Sequence, residues 1–234
     1  MCEHASNAFP APWGGLGLDR AAQSAHVAWD PGALALARGL AARLDACLVH
    51  APVSRLIHDL NRPPDSPGAM PVQSEVFAIP GNRDLTPEDR AARVAAVYDP
   101  FHAGLAAVIA RRIALGLRPV IVTVHSFSPV WHGVPRSVEF GVIHDDTRPG
   151  DDRLARAVLA AAWSMTDLRA DLNEPYAASD GVTHLLRLHA VPYALPHAML
   201  EVRNDLIADT AAQEAMADRL APVLARAMAQ IGGA

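Results

Sequence analysis

The clearest periodic segment runs from Pro31 to Asp45, PGALALARGLAARLD, where Leu34, Leu36, Leu40 and Leu44 recur among alanines behind a proline suited to a first turn. That spacing predicts a helix over 31–45. CLVHAPVSRLIHDLNR follows, with two short apolar runs broken by Pro52, and reads as two short strands with DLNR at the end of the second. Residues 63–80 are rich in Pro, Ser and Gly and read as a long ordered loop or arm, with disorder as the alternative. Thr86-Pro87-Glu88 supplies an N-cap, a first-turn proline and an acidic residue against the helix dipole, opening a helix to about Leu115 before Gly116. The continuous apolar run Val120 to Val124 is a buried strand that delivers His125 at its tip. Beyond it, VEFGVIHDD reads as a strand, DRLARAVLAAAWSM as a helix, THLLRLHAVPY as a strand with a turn, HAMLEVRND as a strand and AAQEAMADRLAPVLARAMAQI as a closing helix. Such alternation predicts an α/β fold with a mixed, mainly parallel sheet, helices on both faces and a site at the carboxyl ends of the strands.

Composition narrows the possibilities. The 234 residues are 51% hydrophobic and 19% charged, with no repeat and no low-complexity linker, which predicts one domain over 1–234 that buries a substantial core. Mean hydropathy of +0.12 reflects abundant alanine, and no stretch reads as a membrane span or a secretion signal, so the expected setting is the cytoplasm. Cys2 and Cys47 are too few for a disulfide framework. A net charge of −5 with scattered arginines argues against nucleic acid and for a small-molecule substrate; the oligomeric state is left open.

His4 in CEHASN, Asp30 at the start of the first helix and His125 at a strand end have the chemistry of a metal site. Zinc takes three His or carboxylate ligands and leaves a fourth position for water. Each of the eleven histidines also has an ordinary reading as a hydrogen-bonded structural residue. In DLNR, the Arg62 fork pairs bidentately with a carboxylate and Asn61 adds a donor, which suits an acidic substrate; a structural ion pair is the alternative. Arg136 and Arg203 are further anion contacts or surface ion-pair partners. Glu201 follows the apolar run HAML, where a carboxylate serves either as general base or as the partner of an arginine. His189 and Asp180 are candidates to orient ligands through hydrogen bonds.

The blocks CEHASN, HVAWDPGALALA, SRLIHDLNRPPDSP, IPGN, VYDPFHAGL, VHSFSPVWHGVPR, NEPYAASDGVTHLLRLHA and MLEVRNDLI occur in order from the first residues to about residue 210. Together they resemble the N-formylglutamate amidohydrolase family. The resemblance implies the fold of the zinc-dependent exopeptidases (phosphorylase/hydrolase-like), one zinc ion, and hydrolysis of an N-acyl amino acid. N-formyl-L-glutamate, cleaved to formate and glutamate in histidine breakdown, is the name-giving substrate. It implies His4 and His125 as metal ligands, Asn61 and Arg62 as the pair that holds a substrate carboxylate, and Glu201 as the catalytic glutamate. Related exopeptidases place a Glu three residues after the first His, where this chain has Asn7. The third ligand is therefore expected to be Asp30, placed like the helix-start Glu of zinc-dependent cell-wall amidases, with Glu3 as the fallback. Family members also carry an apolar strand ahead of the CEH block, and with Met1 three residues before His4 the expectation is a loosely anchored histidine. The alternatives are an amidase for another N-acyl amino acid or a cell-wall peptide, and a non-catalytic carboxylate-binding relative.

Overall fold

The structure is a computed structural model that describes residues 1–232. In chain order its helices are α1 (Arg20–Ser24), α2 (Ala33–Arg43), α3 (Pro87–Arg93), α4 (Asp99–Ala114), α5 (Arg153–Met165), α6 (His184–His189) and α7 (Thr210–Gln230). The strands are β1 (Gln73–Ser74), β2 (Phe77–Ala78), β3 (Ile121–Phe127), β4 (Val130–Trp131), β5 (Val134–Pro135), β6 (Phe140–Ile143), β7 (Ala170–Leu172) and β8 (His197–Arg203). The main sheet has the order β3-β8-β6-β7, with β3 parallel to β8, β6 parallel to β7 and β6 antiparallel to β8. It is therefore a mixed sheet, as the alternating pattern predicts. β1–β2 and β4–β5 are separate small hairpins.

Helix α5 packs on β6, β7 and β8, α2 packs on β3, and α7 bridges α2 and α5. The α5 face that carries Leu154, Ala155, Val158, Leu159 and Ala162 is buried, so its apolar spacing is spent on the sheet. Gly32, at φ +80°, caps α2, and a side chain there would strike the Ile207 carbonyl. No helix among the described residues is long and apolar enough to cross a membrane.

The sequence expectations diverge from the structure in three places. CLVHAPVSRLIHDLNR forms no strands beyond one bridge, Cys2 to His50; residues 54–62 are a chain of tight turns closed by their own side chains, with Leu56 N–H donating to Ser54 Oγ and Asn61 N–H to Asp59 Oδ1. THLLRLHA is the helix α6, and its buried Leu185, Leu186 and His189 sit at i, i+1 and i+4, a helical spacing. The helix expected from Thr86 is interrupted by a π turn at Val94–Tyr98 just before Pro100, which lacks an N–H and would crowd the preceding turn of a regular helix.

Candidate active site

Strand β3 runs three residues beyond its apolar run, so His125 lies within it and is paired in register with Glu201 on β8. Because β3 and β8 are parallel, both side chains arrive near the carboxyl ends of their strands. The N-terminal segment completes the arrangement. Met1 is bonded to β3 on both sides, its amino nitrogen to the Val122 carbonyl at 2.6 Å and its own carbonyl to Val124 N–H at 2.9 Å. Cys2 is tied to Val49 and Ala51, and the His4 carbonyl accepts from Asp30 N–H. His4 is thus buried and firmly held, contrary to the expectation of a loose histidine: its anchor is β3 and the 49–51 segment rather than a preceding strand.

Asp30 is the hub. Its Oδ2 lies 2.8 Å from His125 Nδ1 and 3.3 Å from His4 Nδ1. The ligating atoms of these three buried residues lie within 4.8 Å of one another. Each imidazole turns its other nitrogen to a further carboxylate: His4 Nε2 to Asp59 at 2.8 Å, and His125 Nε2 to Glu3 at 3.4 Å. Glu3, the fallback ligand, therefore stands behind His125 rather than among the converging atoms, and Asn7 points away to the Gln23 carbonyl. Arg55, which sequence reasoning passed over, bonds Asp59 at 2.6 Å and approaches Asp30 at 3.6 Å. In DLNR the sequence signal for Asp59 is its position, two residues before Asn61, whose N–H it caps.

The charges are tightly balanced. Burial opposes ionisation of Asp30, but His4 and His125 outweigh it and hold the carboxyl well below its usual range. Burial likewise disfavours the charged His125, yet Glu3 and Asp30 raise its pKa well above that of a free histidine. Burial also opposes the ionised Asp59, and Arg55 and His4 overcome it. Glu201 behaves differently: burial, reinforced by Asp30, pushes it up to about 7, and its Oε2 has no hydrogen-bond partner. A carboxylate poised near neutrality with a free oxygen has the properties of a general base.

These groups open into a cleft of about 510 Å³, lined on its other side by Asn61, Arg62, Arg136, Tyr176 and Trp131. The Arg136 guanidinium sits 5.0 Å from the ring centroids of both Trp131 and Tyr176 and 5.5 Å from that of Phe127, and donates to the Tyr176 hydroxyl. Among the described residues neither Arg136 nor Arg62 has a carboxylate partner; Arg62 donates to the Gly181 and Asn61 carbonyls. Arg203 is not brought to the cleft. It pairs with Asp205 and Glu139 and donates to the Arg136 carbonyl, bracing that residue from behind. The Asn61 amide is engaged internally, donating to the Val182 carbonyl and accepting from Leu185 N–H. Asp180 caps Ala177 N–H at the cleft wall, and His189 bonds His102; neither orients the His4–Asp30–His125 cluster.

Comparison with known proteins places the chain in a family. A family model described as N-formylglutamate amidohydrolase matches residues 1–208. The crystal structure of a gene product of Agrobacterium tumefaciens is similar at 50% identity and a TM-score of 0.95, over 99% of this chain and 90% of that one. N-formylglutamate amidohydrolase from Ralstonia eutropha JMP134 shares the fold at a TM-score of 0.64 and 18% identity, over 100% of this chain and 93% of its own. A search of curated proteins gives no match. With its family model covering the converging histidines, the cleft arginines and Glu201, the chain belongs to the N-formylglutamate amidohydrolase family.

Proposed function

We propose that the chain hydrolyses the N-acyl amide bond of an acidic amino acid, N-formyl-L-glutamate foremost, with a zinc ion held by His4, Asp30 and His125. The observation that carries the reading is the orientation of the two imidazoles. Both aim Nδ1 at one carboxylate oxygen and give Nε2 to an outer carboxylate, the arrangement that fixes metal-ligating histidines in protein sites. With both imidazoles neutral, as metal ligands must be, the buried carboxylates Glu3, Asp30, Asp59 and Glu201 exceed the positive charge of Arg55, the arginine paired with them, so the site suits a cation. Zinc bound there supplies Lewis acidity, lowering the pKa of water and polarising the acyl carbonyl.

The remaining work falls to the chain's own groups. Glu201, free at Oε2, takes a proton from the attacking water and returns it to the leaving amide nitrogen. Arg62 and Arg136, the cleft arginines without carboxylate partners, bind the two carboxylates of the substrate, Arg136 being held in place by its aromatic surround. A relation in fold to the zinc-dependent exopeptidases, and a cytoplasmic place in histidine breakdown, complete the proposal.

The test joins metal content to turnover. Purified protein should hold about one zinc per chain, lose it in His125→Ala, and release glutamate from N-formyl-L-glutamate. Glu201→Gln should retain zinc and lose about 10²–10⁴-fold in kcat. Full turnover in the Gln variant removes Glu201 from the mechanism, and absence of zinc after supplementation removes the metal.

A further inference from the structure

The turn that carries Asp59, Asn61 and Arg62 has a further support from α4 and α6. His102, on α4, and His189, at the end of α6, are both buried. His102 Nε2 lies 3.0 Å from the Leu60 carbonyl, and its Nδ1 lies 2.8 Å from His189 Nε2. The two rings are within 7° of coplanar with centroids 5.1 Å apart, which aims the N–H of one ring along the lone pair of the other.

The hydrogen positions follow from elimination. A carbonyl only accepts, so His102 carries its proton on Nε2; a neutral imidazole has one N–H, so His102 Nδ1 accepts and His189 Nε2 donates. Burial first, and the neighbouring histidines after it, push His102 down to about 3 and His189 to about 4, so both are neutral in the working range. The same two helices grip the turn elsewhere. Tyr98, in the π turn before α4, hydrogen-bonds His184 at 2.8 Å, and the adjacent Leu185 N–H holds Asn61 Oδ1. The π turn sets Tyr98 and His102 four residues apart on one seam between α4, α6 and the turn.

We propose that His102, fixed in its Nε2–H tautomer by His189, is a positioning residue for Arg62: it holds the Leu60 carbonyl and so sets where the Arg62 fork meets a substrate carboxylate. The proposal rests on the reading of Arg62 as a carboxylate binder. It separates substrate binding from metal binding, because Asp59 is anchored independently by its own N–H to Ala69 and by Arg55.

The experiment compares wild type, His102→Leu and His102→Gln, all loaded with zinc, on N-formyl-L-glutamate, with a long-range ¹H–¹⁵N spectrum of the imidazoles of the wild type. His102→Leu should raise KM about tenfold with kcat within about threefold and zinc content unchanged. His102→Gln, whose amide reaches the same carbonyl, should bring KM back to within about threefold of wild type. An unchanged KM in folded His102→Leu, or no recovery with Gln, overturns the proposal. The spectrum is independent of turnover: His102 protonated on Nδ1 overturns it even if His102→Leu does not fold. Should wild type hydrolyse no N-acyl amino acid while the spectrum shows both Nε2–H tautomers, the functional reading fails and the hydrogen-bonded support for the turn stands.

Discussion

Asp59→Asn isolates the outer carboxylate from the ligands it serves. The substitution keeps the shape and leaves Oδ1 able to accept from Asn61 N–H, now at 2.8 Å, but removes the charge that faces His4 Nε2 at 2.8 Å and Arg55 at 2.6 Å. His4 then loses the anionic acceptor that fixes its ring and makes Nδ1 a better donor toward a metal. Loss of such a partner weakens metal binding by about 10–100-fold, or about 1.4–2.7 kcal/mol. The three ligand side chains are untouched, so stoichiometry at saturating zinc should remain about one per chain. Zinc affinity measured by competition with a chromophoric chelator reads the effect directly. A thermal melt of the zinc-free protein alongside it measures the separate cost of leaving Arg55 with only Asp30, 3.6 Å away. If zinc affinity stays within about twofold of wild type while the melt drops, Asp59 serves the fold and the argument for a carboxylate–histidine–metal arrangement fails at His4.

Three further outcomes follow from the geometry. Arg136→Gln should raise KM for N-formyl-L-glutamate about 10–100-fold through loss of a charge-assisted contact, whereas Arg203→Gln, which gives up the pairs with Glu139 and Asp205 and one bond to the Arg136 backbone but no substrate contact, should stay within about threefold; equal effects in steady-state kinetics would refute the distinction. Gly141→Ala places a methyl against the Glu174 carbonyl and beside Glu201, and should destabilise by about 2–3 kcal/mol in urea unfolding, a loss below ~0.5 kcal/mol being incompatible with that packing. The His102–His189 pair stays neutral in the fold but takes up protons when unfolded below about pH 6.5, so the unfolded chain binds more protons and the pair's contribution falls as pH drops from there toward the folded values near 4 and 3. With zinc bound, wild type should therefore lose about 2 kcal/mol more than His102→Gln between pH 7 and pH 5 in matched urea titrations, and parallel pH dependences would contradict it.

The legibility of this protein in its sequence differs by element. The helices over 31–45, 152–165 and 211–231 and the strands over 120–124 and 197–205 were readable because each buries one face or a whole run and so imposes a period on its own residues. His4, Asp30, His125 and Glu201 were legible as residue types at element ends and through the family's blocks. The segment between Leu48 and Arg62 was misread as strands because its polar side chains, Ser54 and Asp59, hydrogen-bond the backbone locally, and apolar content does not distinguish that from a ladder. α6 was misread although its helical spacing was present, since six residues give little more than one turn of pattern.

Which residues share a site was a different matter. Nothing local joins Glu3 to His125, Asp59 to His4 or Arg55 to Asp30, because those distances are set by the N-terminal segment bonded to β3 and by the Ser54–Arg55 turn bonded to the Ala28 carbonyl. The same holds for the arginines. One residue type at three positions met three fates, Arg136 open to the cleft, Arg203 consumed by Glu139 and Asp205, and Arg55 placed between two carboxylates. Sequence by itself determined the long helices, the buried strands and the chemical inventory, since periodicity and side-chain identity are local properties. Tertiary structure alone decided which charges are paired and which are free, because pairing depends on distances between segments far apart along the chain.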